Sequence, residues 1–202
     1  MVAQRAGRRW RGDQSVNRLF LHLPNILTGL RLVAAPLLAL LVLSGDYAHA
    51  LEVFAFAGAS DAADGFLAKR FGLDTTFGRY LDPVADKFLM LASFLSLTAV
   101  GMAPVWLAVL VIGRDLAIVC GTFLAWALDL PLRIAPLPLG KIWTALQIGY
   151  IALILLFPLM GLEQPRIAEG AAMFTGALTL ASGLNYAALW FRALAARASR
   201  PA

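Results

Sequence analysis

Residues 60–87 read SDAADGFLAKRFGLDTTFGRYLDPVADK, and the rest of the chain is organised around this stretch. It holds five of the twelve acidic residues of the protein, although long apolar runs flank it on both sides. Carboxylates are costly inside a bilayer, where they persist mainly when they are paired, solvated by a cavity or bound to metal. The stretch therefore predicts an ion-binding cage between membrane helices.

Two pairs of aspartates inside the stretch have helical spacing. Asp61 and Asp64 stand three residues apart, and Asp82 and Asp86 stand four apart. Each pair is therefore expected on one face of a helix. Four carboxylates joined by a glycine-containing connection supply the oxygen ligands that hard divalent cations prefer.

The composition of the 202-residue chain indicates an integral membrane protein. The chain is 60% hydrophobic and 14% charged, with a mean hydropathy of +0.76. Soluble domains are about 45–50% apolar and about 25% charged. Because one span needs about 20 apolar residues, this length accommodates about six spans and no further soluble domain. The net charge of +5 is attributed to basic loops beside anionic lipid, and no nucleic-acid partner is expected.

Six membrane-spanning helices are predicted from the apolar runs. Their bounds are about 24–44, 47–68, 76–100, 104–128, 139–160 and 171–190. Pro24 is expected in the first turn of the first helix, where a missing N–H is tolerated. A basic segment, residues 1–22, precedes the six-helix domain of residues 23–192, and a basic tail of residues 193–202 follows it. The first segment is expected on the membrane interface, with a disordered basic tail as the alternative.

The charges of the connecting segments predict the orientation. Nearly all lysines and arginines lie in the two termini and in the connections 69–79 and 131–141. The alternate loops carry Asp46, Glu52, Glu163 and Glu169, with Arg166 as their only basic residue. Since positive loops stay in the cytoplasm, both termini and the acidic stretch are expected on the cytoplasmic side of a bacterial inner membrane.

Among the cationic residues within the predicted spans, Arg31, Lys87 and Arg114 are candidates for binding an anion. A metal held by carboxylates bridges phosphate oxygens, and guanidinium groups bind further anionic oxygens. A carboxylate at the edge of such a site can also act as base toward an attacking hydroxyl. The chemistry of these residue types therefore predicts metal-dependent transfer involving a phosphate or pyrophosphate at the cytoplasmic membrane surface.

The acidic stretch resembles the signature of a known family, the CDP-alcohol phosphatidyltransferases. That signature reads D-x-x-D-G-x-x-A-R, eight residues, then G-x-x-x-D-x-x-x-D. The corresponding residues here are Asp61, Asp64, Gly65, Ala68, Lys69, Gly78, Asp82 and Asp86. Seven of these eight positions match with unchanged spacing. The departure is Lys69, which keeps the positive charge of the usual arginine but not its planar, bidentate guanidinium.

The resemblance implies a six-helix membrane enzyme, often a homodimer, that transfers a phosphatidyl group from CDP-diacylglycerol to an alcohol and releases CMP. It implies that two divalent ions, Mg2+ or Mn2+, are held by Asp61, Asp64, Asp82 and Asp86. It further implies that Asp86 acts as the catalytic base on the acceptor hydroxyl. Contacts with the CDP moiety are implied for Gly65, Ala68, Lys69 and Gly78.

The acceptor alcohol is suggested by further segments that resemble the branch containing cardiolipin synthases and phosphatidylglycerophosphate synthases. These segments are Pro24-Asn25-Ile26-Leu27-Thr28-x-x-Arg31, Gly113-Arg114-Asp115 and Gly140-Lys141-x-x-Thr144-x-x-Gln147. The resemblance implies an acceptor pocket formed by Arg31, Arg114 and Lys141. The fourth span reads GRDLAIVCGTFL and lacks the second acidic–basic pair common in phosphatidylglycerophosphate synthases. This favours phosphatidylglycerol over glycerol 3-phosphate, which stays the alternative acceptor.

Other interpretations of the same residues remain open. A membrane prenyltransferase also uses Asp-rich motifs, but these come in two separated clusters, whereas all candidates here lie in one block. A cation transporter also uses intramembrane carboxylates, but it does not require the spacing of Gly65 and Gly78. The structural alternatives are an ion pair for Arg114 and Asp115, and interfacial snorkelling for Lys141.

Overall fold

The computed structural model is all-helical throughout the part of the chain that it describes, and no strand occurs there. The described backbone covers residues 14–71, 76–127, 138–162 and 165–198, and side chains are described for 28–61, 84–124, 127, 143–162 and 166–192. The helices are α1 (Gln14–Leu43), α2 (Tyr47–Phe71), α3 (Thr76–Ala99), α4 (Val105–Ala127), α5 (Pro138–Leu159) and α6 (Pro165–Ala198). The six predicted helical segments are therefore confirmed.

The first and last helices are longer than predicted. Helix α1 begins at Gln14, ten residues before Pro24, so the prediction that Pro24 occupies the first helical turn is wrong. The segment upstream of Pro24 is rich in leucine, and good helix formers allow a helix to continue through a proline at the loss of one hydrogen bond. Residues 14–22 of the predicted basic segment therefore belong to α1, while residues 1–13 lie outside the described residues.

Three glycine turns end the odd-numbered helices. Gly45, Gly101 and Gly161 have φ angles of 81°, 75° and 63°, a conformation that favours glycine. After α1, the N–H of Gly45 donates to the Val42 carbonyl at 3.1 Å, and the N–H of Asp46 donates to the Leu41 carbonyl at 2.9 Å. This pair of bonds is a Schellman motif, and the same pattern follows α3 and α5.

The apolar core lies where α1, α2, α3 and α5 meet. Among its fully buried members are Leu38, Phe94, Leu97, Ile151 and Leu155. The rings of Phe94 and Tyr150 stack across α3 and α5 with centroids 6.0 Å apart. This core holds together the helices that carry the aspartates, α2 and α3, through α1, which packs against both of them.

Helices α4 and α6 approach each other closely at two glycines. A Cβ atom at Gly121 of α4 would lie 2.6 Å from Nε1 of Trp190, and one at Gly176 of α6 would lie 2.5 Å from Cζ3 of Trp106. Each helix thus supplies a glycine that receives an indole of the other. The absence of a side chain at both positions allows this packing.

Two helices of the described chain are long and apolar enough to cross a membrane. These spans are Val105–Leu124 in α4 and Arg166–Arg192 in α6, with mean hydropathies of 2.0 and 1.3. Shorter apolar helices run over Thr28–Leu43 and Trp143–Leu159. Six membrane spans and cytoplasmic termini stay predictions.

Candidate active site

The four aspartates of the acidic stretch lie on two neighbouring elements of the chain. Asp61 and Asp64 both belong to α2, and Asp82 and Asp86 both belong to α3. The helical spacing of each pair is therefore confirmed. Several predicted site residues have side chains outside the described residues, namely Asp64, Gly65, Ala68, Lys69, Gly78, Asp82 and Lys141. Their roles as ligands or substrate contacts stay predictions.

A buried arginine of α1 faces the first of these acids. Arg31 is 2% exposed, and its Nη2 lies 2.9 Å from Oδ1 of Asp61, whose side chain is 50% exposed. None of the three guanidinium nitrogens makes a correctly oriented hydrogen bond to an acceptor among the described residues. The pair is therefore held by charge and proximity.

Asp86 lies on α3 and feels the charges of four neighbouring ionic side chains. The charges of Asp61 and Arg31 act on its carboxylate, as do those of Lys87 and Asp115. The side chain of Asp86 is partly buried. The structure thus brings together three of the predicted site residues, Arg31, Asp61 and Asp86, from three different helices.

Lys87, the residue after Asp86, belongs to a second ionic cluster. Nζ of Lys87 donates to Oδ2 of Asp115 at 2.5 Å, and Nη1 of Arg114 donates to Oδ1 of the same carboxylate at 2.7 Å. Nε and Nη2 of Arg114 donate to Oγ of Ser182 at 3.1 and 2.7 Å. The guanidinium also lies 5.8 Å from the ring centroid of Tyr186. This cluster connects α3, α4 and α6.

The second cluster bears on the role predicted for Arg114. Its hydrogen bonds go to Asp115 and Ser182, so the ion pair considered as the structural alternative is present. Helix α4 packs against α3 and α6, whereas α1 packs against α2 and α3. Arg31 and Arg114 therefore belong to different helix interfaces. A common acceptor pocket formed by both arginines stays a prediction.

The donor chemistry of the first group fits a divalent cation. Asp61 and Asp86 offer carboxylate oxygens, the ligands that Mg2+ and Mn2+ prefer, and the carboxylate of Asp61 is accessible. No group of three or more metal-ligating side chains occurs among the described side chains, which do not include those of Asp64 and Asp82. The full ligand set is therefore a prediction from the helical spacing.

Sequence reasoning missed part of this arrangement. The sequence shows Lys87 and Asp115 as charged residues near apolar runs, but their spacing of 28 residues does not indicate that they form a hydrogen bond. Ser182 and Tyr186 gave no signal, because single polar residues in an apolar helix are common. Their positions four residues apart on α6 place both on one helix face, which is the pattern that could have drawn attention to them.

Comparison with known proteins shows the family. A family model described as CDP-alcohol phosphatidyltransferase matches residues 21–194. A human cardiolipin synthase (CMP-forming) is 30% identical over 204 aligned residues, covering 92% of this chain and 67% of that protein. A probable phosphatidylglycerophosphate synthase of Mycobacterium tuberculosis is 36% identical over 177 residues, covering 83% of this chain and 80% of that protein.

Other relatives are longer than this chain. A probable cardiolipin synthase (CMP-forming) of Drosophila melanogaster is 32% identical over 181 residues, which cover 81% of this chain but 56% of that protein. The chain thus spans little more than half of this relative and about two thirds of the human one. The family match nevertheless covers most of the present chain, including all four aspartates and Arg31. The chain therefore belongs to the CDP-alcohol phosphatidyltransferase family.

Proposed function

We propose that this protein transfers a phosphatidyl group from CDP-diacylglycerol to a hydroxyl of a glycerol-type anionic acceptor and releases CMP. The observation that carries the proposal is the meeting of Asp61, Asp86 and Arg31 from three helices within the matched family region. Two carboxylates beside a buried guanidinium suit a substrate that carries phosphate groups.

The proposed metal site uses the carboxylates of both helices. Asp61, Asp64, Asp82 and Asp86 would hold two divalent ions, Mg2+ or Mn2+. When bound, such ions polarise the pyrophosphate of CDP-diacylglycerol and offset its charge. Arg31 would orient Asp61 through their 2.9 Å contact, and its other N–H groups would donate to an anionic oxygen of the substrate. Gly65, Ala68, Lys69 and Gly78 would contact the CDP moiety.

Asp86 would act as the general base in the transfer. Its carboxylate takes the proton of the acceptor hydroxyl, and the acceptor oxygen forms a bond to the phosphatidyl phosphorus. The bond from that phosphorus to the CMP oxygen breaks, and CMP leaves with the electron pair. A positioned carboxylate base contributes about 10²- to 10⁴-fold to the rate of such proton transfers.

Phosphatidylglycerol is the preferred acceptor, which would make the protein a cardiolipin synthase. Relatives named as cardiolipin synthases and the single charged pair in the fourth helix support this choice. The second candidate is phosphatidylglycerophosphate synthesis with glycerol 3-phosphate as acceptor. The Mycobacterium tuberculosis relative supports this candidate, since the alignment with this chain covers 80% of that protein.

The proposal includes a membrane setting. In this proposal the protein is a homodimer in a bacterial inner membrane. Each chain has six membrane spans, both termini in the cytoplasm and an active site that faces the cytoplasm. Support comes from the two long apolar helices, from large apolar side chains exposed along the bundle, such as Val109 and Leu184, and from the basic termini.

The transfer is tested by CMP release. Purified protein in detergent is incubated with labelled CDP-diacylglycerol and Mn2+, in parallel with phosphatidylglycerol and with glycerol 3-phosphate. We expect CMP with phosphatidylglycerol, and about a 10²-fold or larger loss in the Asp86→Asn variant. The matched control is Asp46→Asn, which alters an exposed aspartate in the turn after α1 and should leave the rate unchanged. An absence of CMP with every acceptor, or an Asp86→Asn variant as active as wild type, would remove the basis of the proposal.

A further inference from the structure

A permanent positive charge lies against one carboxylate of the proposed metal site. Nη2 of Arg31 is 2.9 Å from Oδ1 of Asp61, and 1% of the Arg31 side chain is exposed. A guanidinium group is not deprotonated in proteins, and salt screens a buried charge much less than an exposed one. A cation bound by Asp61 would therefore be repelled by the charge of Arg31.

The charge of Arg31 acts on the acids of two helices. The guanidinium lies against Oδ1 of Asp61, so a cation would bind this half-exposed carboxylate through its other oxygen, Oδ2. The same guanidinium acts on the carboxylate of Asp86. Arg31 thus influences one aspartate of α2 and one of α3, both of which are proposed to hold the divalent ions.

Arg31 acts on Asp61 by its charge more than by directional hydrogen bonds. None of its guanidinium nitrogens makes a correctly oriented hydrogen bond to an acceptor among the described residues. Arg114, by contrast, donates three hydrogen bonds, to Asp115 and Ser182. The effect of Arg31 on the site is therefore treated as electrostatic.

The charge balance of the proposed metal site depends on Arg31. The site consists of four carboxylates and this guanidinium, with a net formal charge of −3. With two divalent ions bound it would carry a charge of +1, whereas the same ions would leave the four carboxylates alone neutral. Arg31 therefore disfavours full occupancy until an anion joins the site. The pyrophosphate of CDP-diacylglycerol is such an anion, because divalent ions bridge phosphate oxygens.

We infer that Arg31 couples the binding of the two ligands: its charge weakens the binding of a divalent cation to the aspartates until the pyrophosphate of the donor is present. Such coupling is reciprocal, so the cation must raise the affinity for the donor by the same factor as the donor raises the affinity for the cation. Coupling factors are typically about 5- to 150-fold. This inference rests on the donor and the metal of the proposed function, and it adds that the ions are fully bound only together with the donor.

The inference is tested by measuring Mn2+ binding without turnover. Free Mn2+ is followed by electron paramagnetic resonance while the purified protein in detergent is titrated, with and without CDP-diacylglycerol and with no acceptor present. Titration of protein-free micelles that contain the same lipid corrects for Mn2+ bound by the lipid itself. For the wild-type protein we expect the donor to lower the Kd for Mn2+ about tenfold, and Mn2+ to lower the Kd for the donor by the same factor.

Arg31→Gln removes the charge and keeps a polar side chain. Without donor, this variant should bind Mn2+ about tenfold more tightly than wild type, and the donor should then improve Mn2+ binding by about twofold at most. The rate of CMP release should fall in the same variant, so that metal affinity and rate move in opposite directions. A merely structural role would lower both. Arg31→Lys keeps the charge and should keep the coupling.

The matched control is Arg166→Gln. It removes one positive charge from an exposed position on α6, a helix that packs against α4 and α5. This variant should bind Mn2+ as wild type does. An Arg31→Gln variant that binds Mn2+ no more tightly than wild type overturns the inference, and so does a wild-type protein in which donor and Mn2+ leave each other's Kd unchanged. The wild-type measurement decides the question where Arg31→Gln fails to fold.

The release of CMP separates this inference from the proposed function. A wild-type protein that releases CMP from CDP-diacylglycerol but shows no coupling overturns the inference while the phosphatidyl transfer stands. A protein in which Mn2+ and the donor are coupled through Arg31, but which releases no CMP with either acceptor, supports the inference and contradicts the proposed transfer.

Discussion

Two arginine–aspartate pairs, Arg31 with Asp61 and Arg114 with Asp115, differ in the number of hydrogen bonds that their guanidinium groups donate among the described residues. Arg31 is buried beside Asp61, yet its N–H groups make no correctly oriented hydrogen bond to an acceptor among the described residues. Arg114 is nearly as enclosed, but it donates three hydrogen bonds, to Asp115 and Ser182.

The difference suggests that the two pairs have different tasks. Arg31 pairs with Asp61 of the proposed metal site, and among the described residues its N–H groups have no correctly oriented acceptor. Arg114 uses its donors to connect α4 with α6 and to share Asp115 with Lys87. We therefore expect substitutions at Arg31 to act mainly on catalysis, and substitutions at Arg114 to act mainly on stability.

The largest effect is expected from Arg31→Gln. The rate of CMP release should fall about 1,000-fold, the loss seen when a preorganised donor to a charged group is removed. The Tm should fall less than for a substitution at Arg114, because few hydrogen bonds are lost. Arg31→Lys keeps the charge and should recover part of the activity. Equal losses of Tm for Arg31→Gln and Arg114→Gln would show that the two arginines do not differ in this way.

The second-largest effect, a loss of stability, is expected from Arg114→Gln. Removal of one partner from a buried ion pair costs about 3–5 kcal/mol, and we expect the lower value because Lys87 still neutralises Asp115. The Tm, measured by thermal unfolding in detergent, should fall by about 6–12 °C. The matched control is Arg166→Gln, which removes an exposed arginine of α6. A Tm that does not move would mean that the Arg114 cluster does not hold α4 and α6 together.

A smaller effect is expected where α6 approaches α4 beside this cluster. Gly121→Ala would place a methyl group 2.6 Å from Nε1 of Trp190, and overpacking of this kind costs about 1–3 kcal/mol. Gly113→Ala on the same helix meets no atom within 4 Å and should stabilise the helix by about 0.5–1 kcal/mol. Opposite shifts of Tm are therefore expected for the two variants. Shifts of the same sign would contradict the close α4–α6 contact.

The smallest effect is expected at an exposed aspartate far from both pairs. Asp46 accepts hydrogen bonds from the ring and the backbone N–H of His49, and the side-chain bond lowers the pKa of Asp46 below its ordinary value of 3.8. Because the pKa is lower in the folded protein, this interaction stabilises at pH values above 3.8 and is lost as the pH falls through the folded-state pKa. The Tm difference between wild type and Asp46→Ala should be small at pH 7 and should shrink as the pH falls below 3.8. A difference that grows on acidification would have the wrong sign.

The sequence predicts the helices well, and it predicts the helical spacing of the aspartates in the candidate site. The 3- and 4-residue spacings of the aspartates hold because α2 and α3 are continuous helices through them. Thr28 and Arg31 stand three residues apart, so they share one face of α1, and both side chains are buried. Such local periodicity depends on helix geometry alone, which is the same in every protein.

The contacts between helices were not predictable in the same way. The Lys87–Asp115 bond and the Arg114–Ser182 bonds depend on the relative height and rotation of α3, α4 and α6. Those quantities are set by packing, for example by the glycines that receive Trp106 and Trp190. The early start of α1 was missed because a proline is a strong but not absolute helix boundary.

The three Schellman turns have a consequence for how the protein is made. The glycine turns at 45, 101 and 161 join α1 to α2, α3 to α4 and α5 to α6, and the two helices of each pair pack against each other. Each pair is a helical hairpin that can form as soon as its second helix is synthesised. We expect the chain to enter a bilayer as three hairpins, so that only the short turn of each hairpin has to cross the bilayer. The proposed active site would then be completed when the first two hairpins meet, since Arg31 and Asp61 belong to the first and Asp86 belongs to the second.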